Sequence, residues 1–409
     1  MKYDGENSNA FNFIASKYEF RFNVVTNHYE FRKRKKKKKK NGNKWRKYDD
    51  RYRKDILLEL MTEHIKVASD KVDIFIESSD FSKDYNPFEE YFKKLPKWDK
   101  KKDYIKQISK TVDTDNDKHF RKTLERFLVG CVDCLLNEDS VNDVCLVFQS
   151  GQGVGKTRWM RKLLPRSFQG EYLYEGNIDT KNKDHTIYLS QYWFIHLDEL
   201  ETLRSNDISA IKSYITRQRI SERKAYGRYK SNFTRRASFL GSVNEDKFLS
   251  DTTGNRRWLV FKTKTIDYMH EVDPNKVWSQ AYTLYKSGYR HWFDVDEIKQ
   301  INAQNEKFRE LTLEEELLLR YFSFENDKDS EYLSSSEVIQ KILINIPSFS
   351  SKMRSTQMGK ALAKHATKKK MKGGIQTYNV NYQGLNDSSI SSPSIDKDKP
   401  NEEKDDLPF

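Results

Sequence analysis

The stretch from Cys145 to Leu164 constrains the fold more strongly than any other part of the chain. It begins with an apolar run, Cys145 to Phe148, continues through a loop with three glycines, and then reads Lys156-Thr157 before a segment of helical composition. An apolar run rich in Val and Phe is typical of a buried strand. The pattern therefore predicts a strand, a glycine loop and a helix in succession, which is the setting in which the motif G-x-x-x-x-G-K-[ST] binds phosphate.

The glycines of this loop would let successive backbone N–H groups turn towards the phosphates of a nucleotide, at the N-terminal end of the helix. We expect the Lys156 ammonium to reach the same phosphate oxygens and the Thr157 hydroxyl to bind Mg²⁺. The predicted cofactors are ATP and Mg²⁺, and the predicted binding residues are Ser150, Gly151, Gly153, Val154, Gly155, Lys156 and Thr157. The motif departs from its usual form at the first glycine, which is Ser150 here. The alternative is a flexible glycine turn on a basic surface.

A second apolar run, Tyr192 to Leu197, ends in Asp198-Glu199. This is the Walker B pattern, in which Asp198 would hold Mg²⁺ through its water shell. Glu199 would orient and polarise the attacking water, as general-base chemistry requires. On its own the pattern is common where a strand enters a loop, but its place downstream of the phosphate loop favours the catalytic interpretation.

Two later patterns fit the same chemistry. A buried run from Ala237 ends at Asn244, which we expect to place its amide beside the γ-phosphate; the alternative is an ordinary turn residue. Arg256 and Arg257 stand at the start of another apolar strand. A guanidinium there would suit the charge that develops on the γ-phosphate, and such an arginine is often inserted from a neighbouring subunit.

The segment between these patterns is rich in arginine, lysine and aromatic residues. The chain has a net charge of +14 and 13% aromatic residues, which indicates a polyanionic partner, with nucleic acid as the first candidate. Cations along a backbone with aromatic platforms for bases are typical of single-strand binding. The basic residues of this segment are Arg217, Arg219, Arg223, Lys224, Arg228, Lys230, Arg235 and Arg236. We predict contacts to DNA at Lys224, Tyr226, Arg228 and Lys230. The alternative is a charged loop whose arginines pair with acids at the rim of the sheet.

The regions on either side are predicted to form smaller modules. Residues 1–95 read as a hairpin followed by helices, Asp50 to His64 and one capped by Ser69 among them, which suits a DNA-binding or a scaffolding module equally. Residues 96–300 would form the ATPase domain. Residues 301–383 read as three helices and a strand (313–324, 337–344 and 357–370, the last two capped by Ser335 and Ser355, then 375–380). This pattern predicts a winged-helix-like domain whose last helix binds DNA; a helical protein-docking domain is the alternative.

Residues 384–409 contain almost no apolar residues and are predicted to be disordered. Their end, Asp405-Asp406-Leu407-Pro408-Phe409, resembles the C-terminal tip of bacterial single-stranded-DNA-binding proteins. That resemblance implies docking of host replication proteins, whereas the composition alone indicates a solubilising tail.

Cys131 and Cys134 are expected to lie in a helix core, because no second ligand pair for a metal follows them. A cytoplasmic protein without a membrane partner is therefore predicted.

Four motifs in this order resemble the virulence-associated protein E family: Gly-Gln-Gly-Val-Gly-Lys-Thr, Ile-His-Leu-Asp-Glu-Leu, Gly-Ser-Val-Asn-Glu-Asp-Lys-Phe-Leu and Thr-Gly-Asn-Arg-Arg-Trp. These are P-loop ATPases of prophages and mobile elements, similar to superfamily 3 replicative helicases. The resemblance covers residues 86–263 and implies a RecA/AAA-like sheet, a homo-hexamer and a role in replicating element DNA. It also implies that Arg257, rather than Arg256, is the arginine finger. Many relatives carry a primase domain upstream, for which residues 1–85 are too few, so a separate primase is expected.

Two functions remain open from the sequence. The first is a motor in which ATP hydrolysis moves single-stranded or forked DNA through a basic pore. The second is an ATP-dependent switch or loader that binds DNA without unwinding it.

Overall fold

The computed structural model describes residue 5 and residues 7–34, 44–203, 205–223, 230–249, 254–325 and 330–384. These residues form two compact units, one ending at Arg309 and the other beginning at Glu310. The lysine run 35–40 and the tail with its predicted docking tip lie outside the described residues. The domain boundaries predicted at residues 95, 300 and 383 stay predictions.

The first unit begins with a small sheet and three helices. These elements are α1 (Ser8–Lys17), β1 (Tyr18–Asn23), β2 (His28–Lys33), β3 (Arg46–Lys47), α2 (Asp50–Thr62), α3 (Ser69–Glu77) and β4 (Lys83–Tyr85). The strand order is β3-β2-β1-β4. The predicted hairpin of β1 and β2 is confirmed, with Phe20 opposite Phe31 and both side chains buried. Helix α1 was not predicted; its buried residues are Ala10 and Ile14, four positions apart on one face. Helix α3 is preceded by Ala68 as its N-cap, so the expected cap at Ser69 is wrong.

A connecting region leads into the main sheet. It contains α4 (Pro87–Lys94), α5 (Tyr104–Ser109), β5 (Val112–Thr114) and α6 (Asp117–Leu136). The side chain of Asn86 caps α4 by accepting hydrogen bonds from two backbone N–H groups. Helix α6 packs against the main sheet, as expected, with the rings of Phe120 and Phe148 5.7 Å apart. Cys131 and Cys134 are fully buried in this helix, which confirms their assignment to the core.

The main sheet and its helices follow. The elements are β6 (Cys145–Gln149), α7 (Lys156–Lys162), α8 (Arg166–Gln169), β7 (Leu173–Glu175), α9 (Lys183–Gln191), β8 (Phe194–Leu197), α10 (Ser205–Ile215), β9 (Ile220–Arg223), β10 (Lys230–Phe233), β11 (Ser238–Val243), β12 (Trp258–Ile266), α11 (Pro274–Lys286) and α12 (Val295–Asn305). The strand order is β5-β12-β6-β11-β8-β7, and every pair is parallel except β5 with β12. The predicted α/β class with a parallel sheet core is confirmed.

Both faces of this sheet are buried, as is usual where helices cover a parallel sheet. Leu146 and Phe148 of β6 join a core formed with α6, α7 and α11. Cys145 and Val147 point to the other face and pack with residues of α9 and α10. The sheet is therefore a rigid base from which the loops at the carboxyl ends of the strands project, and such loops commonly form ligand sites.

The second unit is built around one central strand. Its elements are α13 (Leu313–Tyr321), β13 (Phe322–Ser323), β14 (Glu331–Ser334), α14 (Ser335–Asn345), α15 (Ser355–His365), β15 (Lys369–Lys372) and β16 (Ile375–Tyr382). Strand β16 pairs antiparallel with β13, β14 and β15. The core contains Leu318, Val338, Ile342, Met358, Leu362 and Val380.

Four details of the sequence prediction for this unit are wrong. Helix α13 ends at Tyr321, and the N-cap of α14 is Ser334, which forms a capping box with Glu337. Ser355 is the first residue of α15, whose N-cap is Arg354, and the helix ends at His365 rather than Lys370. Residues 369–372 form a strand because they pair with β16 along their whole length, and this tertiary pairing overrides the helical propensity of lysine and methionine.

Candidate functional site

The loop of residues 150–155 joins β6 to α7 at the carboxyl edge of the main sheet. Gly153 and Gly155 have φ angles of 83° and 100°, in the region that favours glycine. A Cβ atom on Gly155 would lie 2.2 Å from Cδ1 of Tyr268. Ser150, where the motif departs from its usual glycine, is not among the residues with positive φ. The backbone therefore requires glycine at position 155 but does not require it at position 150.

A comparison of two glycine variants tests this requirement. Gly155→Ala should lower the free energy of unfolding by about 1–3 kcal/mol, because alanine would be forced into left-handed backbone and against the Tyr268 ring. Gly151→Ala is the matched control, since a Cβ atom there would meet nothing within 4 Å. Thermal and denaturant unfolding would measure both. Equal stability of the two variants would contradict the strained position assigned to Gly155.

The first residue of α7, Lys156, turns its side chain back over the loop. Its Nζ donates to the backbone oxygens of Ser150 (2.8 Å) and Gly151 (3.0 Å), and to Oδ1 of Asn244 (3.0 Å). The residue is only 7% exposed. Burial lowers the pKa of Lys156, and the carboxylates of Glu201 and Asp198 partly offset that shift. The structure thus brings Lys156 and Asn244 together, although they are far apart in the sequence.

Asn244 connects Lys156 to an acid that the sequence analysis missed. The backbone N–H of Asn244 and its Nδ2 both donate to Oε1 of Glu201, at 3.0 and 2.7 Å. The other oxygen, Oε2 of Glu201, is buried without a hydrogen-bond partner. Glu201 lies in a short 3-10 helix, Leu200–Thr202, that directly follows the predicted acidic pair. The signal in the sequence was a third acid in Asp198-Glu199-Leu200-Glu201, but only the turn shows which way it points.

Asp198 is exposed at the end of β8, and its carboxylate is oriented by the neighbouring strand. The Ser242 hydroxyl donates to Oδ1 of Asp198 and lies 3.2 Å from Nε2 of His196. Because the single hydroxyl proton is directed to the carboxylate, Nε2 of His196 is the donor in the second contact. Burial lowers the pKa of His196, which favours the neutral ring. His196 therefore supports Asp198 through Ser242.

Glu199 follows Asp198 in an unusual backbone conformation. Its φ angle is 52°, one of four such angles for residues other than glycine in the described part of the chain. The residue is exposed. Strained backbone of this kind is concentrated at functional sites, which agrees with the predicted role of Glu199 as the residue that activates water.

The two predicted arginines lie in a short 3-10 helix, Asn255–Arg257, before β12. Arg256 is exposed, whereas Arg257 is half-buried and its Nη1 donates to the backbone oxygen of Gly254 at 3.4 Å. Burial lowers the pKa of Arg257, and the adjacent Arg256 adds to that shift. The helix is held in place through Asn255, whose Oδ1 accepts from Lys212 Nζ at 3.0 Å. The insertion of either arginine into a neighbouring subunit stays a prediction.

The basic segment is only partly described. Strands β9 and β10 pair as a hairpin, and Lys230 begins β10. Lys224, Tyr226 and Arg228 lie outside the described residues, so their predicted contacts to DNA stay predictions.

Two arginines of this basic segment, which were not among the predicted DNA contacts, lie inside the fold. Arg235 is fully buried and Arg236 is 7% exposed. Arg235 donates to the backbone oxygen of Ala237, and Arg236 Nη1 donates to that of Leu135 at 2.7 Å. Backbone carbonyls therefore hold both guanidinium groups inside the fold, although Nε of Arg235 is buried without a partner, and neither group is available to DNA.

The donor set fits a magnesium nucleotide better than a metal held by protein alone. Within the described ranges, no group of three or more His, Cys, Asp or Glu residues could hold a metal ion. Thr157 and Asp198 supply oxygen atoms, and Mg²⁺ is usually bound by one or two such groups together with phosphates.

None of the helices in the described part of the chain is long and apolar enough to cross a membrane.

Comparison with solved structures finds apo structures of the C-terminal region of NrS-1. One aligns with a TM-score of 0.43 and 11% identity, over 91% of this chain and 98% of that one. Another, its A form, aligns with a TM-score of 0.38 and 13% identity, over 73% of this chain. The chain spans 66% of the length of that second structure. No inference about function is drawn from likeness at this level. No curated protein matches the chain.

The comparison with protein families gives a match over most of the first unit. The virulence-associated protein E-like domain matches residues 92–310. The match includes the glycine loop, the acids after β8, Asn244 and both arginines, and it continues beyond the region in which the sequence motifs were recognised. It covers more than half of the chain and confirms the resemblance at the level of the family. The chain therefore belongs to the virulence-associated protein E-like domain family.

Proposed function

We propose that the first unit binds and hydrolyses ATP with Mg²⁺ at the carboxyl edge of the main sheet. The observation that carries this proposal is the hydrogen-bonded series Lys156–Asn244–Glu201, which joins the glycine loop to the ends of two neighbouring strands. A lysine, an amide and carboxylates at the ends of adjacent parallel strands can act on one bound ligand. The site is therefore assigned as a P-loop ATPase site.

Bound Mg²⁺ would neutralise charge on the phosphates of the nucleotide. Lys156 would exchange its contacts with the Ser150 and Gly151 oxygens for phosphate oxygens, which carry more negative charge. Thr157 and Asp198 would hold the metal. Glu199 would accept the proton of the attacking water, while Glu201 fixes the position of Asn244 beside the γ-phosphate.

Hydrolysis at this site would drive movement on DNA, as in a superfamily 3-like replicative helicase of a prophage or mobile element. The support is the family together with the basic segment at 217–230, where Arg217 and Arg219 lie among the described residues. A homo-hexamer would place Arg256 and Arg257 of one subunit near the site of the next. Single-stranded or forked DNA is the proposed partner in the pore, and a separate primase would supply primers. We also propose that the second unit is a winged-helix-like domain.

The second candidate is an ATP-dependent switch or loader that binds DNA without unwinding it. Unwinding of a fluorescently labelled fork separates the two candidates. A motor should release the strand with ATP but not with a non-hydrolysable analogue, and Glu199→Gln protein should release none. ATP hydrolysis without any strand release, with forks of either polarity, would favour the loader.

A further inference from the structure

The second unit contains a long stretch without a single acidic side chain. Between Glu337 and Asp387 the sequence has no Asp or Glu, although it carries nine lysines and arginines. Among the described residues of this unit, the acids all lie before that stretch, most of them on α13, β14 and the first turn of α14. Charge is thus segregated along the chain, and the acid-free stretch contains α15, β15 and β16.

Helix α15 is anchored by acids of α13 at both of its ends. Oε1 of Glu314 accepts from the backbone N–H of Arg354, the N-cap, at 2.8 Å. Oε1 of Glu315 lies 2.7 Å from Nε2 of His365, the last residue of the helix. Both glutamates are buried. Glu314 and Glu315 are therefore buried contacts that fix the position of this helix, and neither is exposed beside it.

The outward face of α15 combines small and basic side chains. Thr356, Lys360 and Ala363 are exposed at helical spacing. The inner face packs through Met358 and Leu362. At Gly359 an added Cβ atom would lie 3.1 Å from Ser335 Oγ, so the helix sits close against α14. Small residues on the outer face would allow the helix to approach the floor of a groove closely.

A basic hairpin follows the helix. Strands β15 and β16 are joined by Gly373 and Gly374, with φ angles of 57° and 80°, as a two-residue turn of type I′ requires. All four residues of β15 are exposed. Lys370 lies over the Tyr332 ring at 3.7 Å, whereas Lys369 and Lys372 make no ion pair with the described residues.

We propose that this face, defined as the exposed side of α15 together with the β15–β16 hairpin, binds double-stranded DNA. The helix lies in the major groove, and the hairpin lies against the phosphate backbone, with Lys369 on one face of the two-stranded ribbon and Lys372 on the other. Duplex is favoured over single strands because residues 352–375 contain no Phe, Tyr or Trp on which bases could stack, and the exposed ring on β16, Tyr382, lies at the end of the strand away from the turn. The inference deepens the proposed function by naming the DNA form that the second unit holds while the first unit acts on the nucleotide.

The test measures binding of the full chain, without nucleotide, to a labelled duplex of about 24 base pairs and to one of its single strands. The triple variant Lys360→Ala/Lys369→Ala/Lys372→Ala should lower duplex affinity roughly 10- to 100-fold near 0.1 M salt. The slope of log K against log salt should fall by about 2–3 units, since each lost phosphate contact contributes about 0.9. Single-strand affinity should change less than about threefold, because single strands are proposed to bind at the basic segment of the first unit, which the triple variant leaves intact.

Lys341→Ala is the matched control. It removes a lysine from the same acid-free stretch, but one whose Nζ is paired with Glu331 at 2.8 Å. If the triple variant has the same duplex affinity and salt slope as the Lys341→Ala control, and its melting temperature is unchanged, the proposal is overturned. An equal loss of single-strand affinity would overturn the assignment to duplex. Lys156→Ala should leave duplex binding unchanged, so a failure of the ATPase proposal is distinguishable from a failure of this one.

Discussion

Replacing Lys156 with alanine should abolish detectable nucleotide binding. A charged hydrogen bond contributes about 1.5–3 kcal/mol, and Lys156 would make at least two to phosphate, so affinity should fall by at least about 100-fold. Because Nζ of Lys156 is also held by Ser150, Gly151 and Asn244 in the protein alone, unfolding must be measured beside binding. Isothermal calorimetry with ATP and Mg²⁺ would report the affinity, and thermal unfolding would report the fold.

Arg161→Ala is the control for that experiment. It removes a cation from the same helix, but one that is exposed and paired with Glu175 at 2.6 Å. Its affinity for ATP should match that of the unmodified protein. Tight binding of ATP by Lys156→Ala protein would show that the loop does not hold the phosphates.

The second large effect should distinguish two glutamates that lie two positions apart. Glu199→Gln should keep ATP affinity and lower the hydrolysis rate by roughly 10²- to 10⁴-fold, because an amide cannot accept the proton of the attacking water. Glu201→Gln should have a smaller effect, on the order of tenfold, since an amide oxygen can still accept from Asn244. Single-turnover hydrolysis at saturating ATP would measure both rates.

The opposite order would reassign the site. If Glu201→Gln protein loses hydrolysis while Glu199→Gln protein keeps it, the buried Oε2 of Glu201 is the proton acceptor and Glu199 is only a strained turn residue. Asn244→Ala provides a third reference. It removes the amide that contacts both Glu201 and Lys156, so its effect should be larger than that of Glu201→Gln if Glu201 acts through Asn244.

The elements around the site could be predicted from local sequence. The strand at 145–149, the loop glycines and the strand before Asp198 each depend on a short apolar run or on a backbone conformation that glycine favours, and each of these signals is contained within a few consecutive residues. Lys156 and Asn244 were each expected beside the phosphates of a nucleotide, but the direct hydrogen bond between them was not predicted.

The remaining features depend on tertiary contacts that no local pattern contains. Glu201 points to Asn244 because a 3-10 turn follows β8 and because β11 lies between β6 and β8. Arg235 and Arg236 resemble a DNA-binding surface in the sequence, but backbone oxygens of other elements bind them inside the fold. Residues 369–372 resemble the end of a helix until β16 is present to pair with them.

The rate of ATP hydrolysis by the purified full chain, measured with Mg²⁺ in the presence and absence of single-stranded DNA, tests the central claim most directly. The account predicts measurable hydrolysis that requires Mg²⁺, rises several-fold with single-stranded DNA and disappears in Lys156→Ala and Glu199→Gln proteins. Absence of hydrolysis under both conditions, by folded protein at high concentration, would contradict the ATPase assignment. Hydrolysis that persists unchanged in both variants would contradict the location of the site.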